Sequence, residues 1–197
     1  MVSKTLTVIT GFDDGFFPPE YKGGKGKTLI VGVSVEKDNM RIKTLTHNFI
    51  TVDGRETTRC IIDQVRYHEE TELILLDGIT YAGFDVVDPD TIYHEVGVPV
   101  ATIQQYPLDL KRIKKALSKN FNDWTERYTV IEKIASKYVY LETRWKIIQY
   151  YVVGLERDKL EKILRKTMIY SPVPEPLRLA HLIASCISRK LYTLGYI

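Results

Sequence analysis

Acidic residues stand at three places where the chain changes direction: Asp13 with its neighbour Asp14, Asp53, and Asp77. Each ends or follows a strand-like run, Lys4–Phe12, Arg41–Val52 and Glu72–Leu76 respectively. Carboxylates brought to one point repel one another and need a cation to offset that repulsion. An all-oxygen donor set favours Mg²⁺, with Mn²⁺ as the near substitute. Such a centre activates water and stabilises the oxygens of an in-line phosphoryl displacement. Each acid also has a local explanation. Asp14-Gly15 and Asp77-Gly78 are common turn pairs, and Asp53 three residues before Glu56 fits an acidic capping box.

A second polar pattern lies near the end of the chain. Arg178, His181, Ser185 and Arg189 fall on one face of a helix whose other positions include Leu179, Leu182, Ile183, Cys186 and Ile187. If this stripe faces the acids, His181 can assist proton transfer and Arg178 can grip phosphate. If it does not, it is a solvated helix face. Gly26-Lys27-Thr28 mimics the tail of a P-loop but precedes a strand, whereas a P-loop feeds a helix. The four histidines lack zinc-site spacing. The loop Phe16-Phe17-Pro18-Pro19-Glu20-Tyr21 offers either an intercalating wedge or a cover for a core edge.

These residues need elements to place them. After the first strand come Thr28–Glu36 and Arg41–Val52, joined by a turn at Lys37-Asp38-Asn39, so three antiparallel strands are expected. Thr58, Ile61, Ile62 and Val65 then repeat at helical spacing over 55–68. Glu72–Leu76 is apolar enough for a strand buried on both faces. A short helix over Thr91–Val96, a strand Val98–Gln104 and a helix opened by Pro107, with Leu110, Ile113, Leu117 and Phe121 inward, follow. A strand pair (Tyr138–Glu142, Lys146–Leu155) and helices near 156–168 and 176–192 complete the chain.

Three antiparallel strands followed by helix–strand–helix–strand–helix, with right-handed crossovers, predict an α/β fold. Its mixed sheet, flanked by helices, is RNase H-like, with a C-terminal helical extension. Residues 1–197 are read as one such domain, with 136–197 as its elaboration. In that arrangement the first strand lies beside the fourth and Asp13 faces Asp77.

Composition agrees with one domain: 197 residues, 44% apolar and 27% charged. Two distant cysteines, Cys60 and Cys186, exclude a disulfide framework. The N-terminus has no signal-peptide stretch, and no apolar run reaches the ~18 residues of a membrane span, so a cytoplasmic protein is expected. The net charge of +3 is unevenly distributed. Residues 1–106 hold 10 Lys/Arg against 16 Asp/Glu, and residues 107–197 hold 18 against 9. That division gathers acids for a metal and bases for phosphate, or reflects two differently solvated surfaces.

Five segments, 11–15 (GFDDG), 51–54 (TVDG), 76–88 (LDGITYAGFDVVD), 98–99 (VP) and 174–184 (PEPLRLAHLIA), resemble the archaeal endonuclease dU family, which is related to endonuclease V. The resemblance runs from the first strand to the final helix. It implies an RNase H-like fold and Mg²⁺-dependent cleavage of DNA at deoxyuridine, the product of cytosine deamination. By similarity to endonuclease V, Asp13 and Asp77 are the metal aspartates. Asp53 is the candidate for the intervening carboxylate, with Asp14 behind it. The segment after Asp77 lacks the His-Pro-Arg pattern of endonuclease V, so base reading is expected to differ. An extruded uracil is expected near Gly83-Phe84-Asp85. Two other readings stay open: a nucleic-acid-binding module without catalysis, and a nuclease acting on RNA.

Overall fold

The computed structural model describes residues 8–197. The expected strand start at Lys4 lies outside that span. Strand β1 (Val8–Asp14) is followed by a single 3₁₀ turn at Pro19–Tyr21 and then by β2 (Lys27–Glu36) and β3 (Ile42–Thr51). Helix α1 (Thr57–Val65) leads to β4 (Leu73–Asp77), a small hairpin of β5 (Thr80–Tyr81) and β6 (Asp85–Val86), α2 (Pro89–Val96) and β7 (Val100–Gln104). Helices α3 (Leu110–Asn120) and α4 (Trp124–Ala135), strands β8 (Val139–Glu142) and β9 (Ile147–Val153), and helices α5 (Arg157–Thr167) and α6 (Glu175–Thr193) follow.

Seven strands form one mixed sheet in the order β3-β2-β1-β4-β7-β9-β8. The first three pair antiparallel, while β1–β4 and β4–β7 are parallel. Parallel neighbours at the centre require both faces to be covered. Leu73, Leu75 and Ile9 accordingly pack beneath α5 and α6, and Ile74, Leu76 and Phe12 pack against α1 and α2 on the other face. Burying each such side chain contributes about 1.5–3 kcal/mol. Strands β8 and β9 extend this same sheet beyond β7. None of the helices among the described residues is long and apolar enough to cross a membrane.

Two local departures from the sequence reading have physical causes. Helix α4 was not expected. Its inward positions include the buried Arg127 beside Ile131 and Ile134, so no clean apolar stripe announces it. The N-terminus of α1 is not capped by Asp53 or Glu56. Asp85 supplies the cap from the β5–β6 hairpin, its Oδ2 accepting from the backbone N–H of Glu56 (3.0 Å) and Thr57 (3.1 Å) and from Thr57 Oγ1 (2.7 Å). A buried polar chain also crosses the antiparallel strands: Thr10 to Ser34 (2.7 Å), Ser34 to His68 Nδ1 (2.5 Å) and His68 Nε2 to Thr46 (2.8 Å).

Candidate active site

The parallel register of β1 and β4 pairs Phe12 with Leu76. The next residues along are Asp13 and Asp77, side by side at the carboxyl ends of adjacent strands. Paired positions on parallel strands project to the same face, so the two carboxylates share one space. The strand ends are tied by the fully buried Tyr81. Its hydroxyl accepts from the Asp77 N–H (2.9 Å) and donates to the Phe12 carbonyl (3.0 Å). Asp13-Asp14-Gly15 is not a turn. Asp13 and Asp14 pair with Val31 and Ile30 of β2, and Gly15 N–H continues the ladder to Leu29 (2.8 Å).

Helix α6 comes to the same point because the sequence removes side chains from its path. A Cβ on Gly11 would meet the Pro176 carbonyl carbon at 2.5 Å, and one on Gly15 would meet Ser188 Oγ at 2.6 Å. The facing positions on the helix, Ala180, Ala184 and Ser188, are small and buried. This close approach carries His181 to Asp13, with Nδ1 2.8 Å from Oδ2. The other Asp13 oxygen accepts the backbone N–H of Asp14 (2.8 Å). Asp14 in turn accepts from Ala82 N–H (2.7 Å), which fixes the tip of the β5–β6 hairpin against the site.

Together these groups line an open cavity of about 480 Å³ whose wall also includes Phe16, Gln104, Gln105, Tyr106, Ser185 and Arg189. Burial, with the neighbouring Asp13 charge, pushes the Asp77 carboxyl up to about 7 and Asp14 up to about 8. The hydrogen bond to Asp13 raises His181 above its ordinary value, outweighing the desolvation that lowers it.

Of the other expected site residues, the structure brings none to this cavity. Asp53 adopts a left-handed conformation (φ 60°) and ties two loops, accepting from Gly23 N–H (2.9 Å) and Phe84 N–H (2.8 Å). It therefore has a structural task, and Asp14 is the third acid at the pocket. Gly83 (φ 91°) lies against Asp53, where a Cβ would sit 2.3 Å from Oδ1. Phe84 packs edge-on to Phe121 at 5.8 Å, and Asp85 caps α1. Arg178 is bound to Glu175 and stacks over Tyr170 at 5.4 Å. Arg189, about three helical turns further on, lines the cavity instead. Sequence reasoning missed Tyr81, Gln104, Gln105 and Tyr106. A Gln-Gln-Tyr run directly after a buried strand was the available signal for the last three.

Among the described residues, no three His, Cys, Asp or Glu side chains already form a metal cage. Mg²⁺ does not need one: it keeps several waters and is held by one or two carboxylates plus substrate oxygens. Asp77 and the adjacent Asp13, both lining the cavity, are the residues that could supply such a donor set. The raised Asp77 and Asp14 values show that the pocket disfavours uncompensated negative charge, which a divalent cation would relieve.

The chain and its fold have counterparts. A UPF0215 protein of Pyrococcus furiosus is 36% identical over 191 residues, covering 95% of each chain. One from Methanosarcina mazei is 38% identical over 185 residues, covering 91% of this chain and 90% of that one. A crystallised Archaeoglobus fulgidus protein superposes with a TM-score of 0.76 at 26% identity, over 92% of this chain and 98% of that one. Endonuclease V of Bacillus subtilis superposes with a TM-score of 0.64 at 14% identity, over 96% and 83%. Endonuclease V of Ciona intestinalis, in complex with a 24mer DNA containing an inosine followed by a ribo-adenosine, gives 0.59 at 12%, over 98% and 87%. The fold is thus the RNase H-like fold of endonuclease V. The family model for endonuclease dU matches residues 6–188, nearly the whole chain, and the protein therefore belongs to the endonuclease dU family of nucleases.

Proposed function

We propose that this protein is a divalent-metal-dependent endonuclease that cuts DNA at or near deoxyuridine, in repair of deaminated cytosine. The observation that carries the reading is the juxtaposition of Asp13 and Asp77 at the ends of adjacent parallel strands, with His181 bonded to Asp13. The family's description supports deoxyuridine as the lesion.

Asp13 and Asp77 would hold Mg²⁺, or Mn²⁺ in its place, with Asp14 alongside. When bound, the metal lowers the pKa of water and neutralises charge on the scissile phosphate. His181 keeps Asp13 oriented through Nδ1. In its protonated form, favoured by the hydrogen bond to Asp13, it can pass a proton from its other nitrogen to the leaving oxygen. Arg189, at the cavity wall, supplies a fixed positive charge for a phosphate. The hairpin carrying Gly83, Phe84 and Asp85 shapes the wall behind Asp14 through the Ala82 contact. An extruded uracil enters the cavity at a cost of a few kcal/mol, least where the base pair is already damaged.

The test is a nicking assay on a labelled duplex with one deoxyuridine, beside an undamaged duplex and an all-RNA strand, in Mg²⁺, Mn²⁺ or EDTA. Metal-dependent cutting confined to the deoxyuridine strand is the expected result. Cutting only of RNA would transfer the activity to that substrate. Salt-sensitive binding without any cutting would make the protein a binding module.

A further inference from the structure

Phe16 lines the carboxylate cavity, and an aromatic series leads away from it past the end of α6. The Arg189 guanidinium carbon lies 4.4 Å from the Phe16 ring centroid. Phe16 meets Tyr192 edge-on at 5.8 Å, and Tyr192 meets Tyr21 edge-on at 6.0 Å. Tyr21 then walls a second hollow, of about 350 Å³, together with Lys25, Lys27, Phe49 and Tyr196. The glycine at position 26 permits this course: a Cβ there would overlap the Tyr21 ring at 2.3 Å. Across the carboxylates, the opposite rim repeats the ring-and-cation theme. Tyr106 is 69% exposed, with Lys146 Nζ 3.6 Å from its ring centroid.

Aromatic side chains left in solvent need a reason when they form a series rather than standing singly. Here Phe49 is 41% exposed and Tyr196 75%. Arg189 stands over Phe16, and Lys25 and Lys27 line the hollow, while the Tyr192 hydroxyl donates to Glu20 (2.9 Å). Rings offer faces on which any base can stack, and lysines offer charge to the phosphates between bases. A closed duplex hides its base faces and could use only the lysines. The geometry points to an unpaired nucleic-acid strand as the occupant. Such a strand would run from the Tyr106–Lys146 rim, across the carboxylates and over Phe16 and Arg189, along Tyr192 and Tyr21, into the Lys25–Lys27 hollow. This deepens the nuclease reading and rests on it for the strand's passage over the acids, but the track itself is measured without cleavage.

The experiment is fluorescence anisotropy with a labelled 20-nucleotide oligothymidylate, in EDTA, at several salt concentrations, beside a fully paired duplex of the same length. The oligothymidylate contains no deoxyuridine, so a failed nicking assay leaves this result standing and the reverse also holds. Wild-type protein is expected to prefer the single strand. Tyr21→Ala and Tyr196→Ala should each weaken that binding about tenfold. The Lys25→Ala/Lys27→Ala double variant should lower the slope of log K against log salt by about 1.4, from ~0.7 per phosphate contact. Tyr196 is exposed, so its variant folds irrespective of any packing role of Tyr21. Unchanged single-strand affinity in Tyr196→Ala, or equally tight wild-type binding to the closed duplex, would overturn the track.

Discussion

His181 and Asp13 lie 168 residues apart in sequence, yet the Nδ1 of one is 2.8 Å from the Oδ2 of the other. The contact spans the first strand and the last helix of the fold and exists because two glycines let the helix reach the strand. It is partly exposed on the histidine side and buried on the aspartate side, so it can be read by titration. In metal-free protein, the His181 ring should titrate above the ordinary histidine value by NMR and fall back in Asp13→Asn. Saturating Mg²⁺ should also lower it, because a cation at Asp13 repels the imidazolium. A His181 value indifferent to both changes would show that the ion pair does not form.

The buried carboxylates set the pH dependence of the metal-free fold. Asp14 and Asp77 hold their protons in the native state to about 8 and about 7, whereas the unfolded chain loses them near 4. The native state therefore binds more protons between these limits, and stability falls as pH rises. His181, raised in the native state, adds a loss of the same sign above its unfolded value of 6.5. His68 opposes them: burial lowers it to about 4, so its contribution is lost as pH falls from 6.5 towards 4. Urea midpoints in EDTA should consequently drop most steeply between about pH 6.5 and 8. Mg²⁺ should recover more stability at pH 8 than at pH 5. A midpoint that rises across that interval would contradict the electrostatics described above.

Gly11→Ala places a methyl group 2.5 Å from the Pro176 backbone, which cannot rotate away. Overpacking of this kind costs about 1–3 kcal/mol, and it should push α6 off β1 and carry His181 from Asp13. A lower thermal midpoint, together with an ordinary His181 titration, is the expected pair of outcomes. Loss of stability with the raised titration intact would mean that the helix relaxes elsewhere.

Arg127 is buried, pairs with Asp123 at 3.0 Å, and donates to the carbonyls of Gly54 (2.9 Å), Asp53 (3.1 Å) and Phe84. It thus joins α4 to the loop and hairpin behind the site. Arg127→Met would leave these acceptors without a donor and should cost roughly 3 kcal/mol in a denaturant titration. The carboxylates are untouched, so cleavage per folded molecule should change little.

Much of this architecture was legible from particular residues. The apolar run Leu73–Leu76 required a strand buried on both faces, and the aspartate ending it had to lie at a strand's carboxyl end. The helical spacing of His181, Ser185 and Arg189 placed them on one face, and all three line the cavity. Roles that depend on what lies opposite were not legible. Asp53 and Asp85 look like candidate site residues in sequence, but each is engaged by backbone N–H groups from segments more than twenty residues away. Tyr81 was invisible for the same reason, since its task is to join two strand ends. Helix α4 was hidden because a buried arginine broke its apolar period.

The proposed cleavage rests on the assignment of a metal to the Asp13–Asp77 pair. Its most direct test is the single-turnover cleavage rate of a deoxyuridine duplex by wild type and by Asp77→Asn, at pH 8 in Mg²⁺, with folding checked by thermal unfolding in EDTA. Asp77→Asn should cleave at least ~10²–10³-fold more slowly. Without metal the variant should also melt at a higher temperature than wild type, because a buried repulsive charge has gone. Undiminished cleavage by a well-folded Asp77→Asn protein would contradict that assignment.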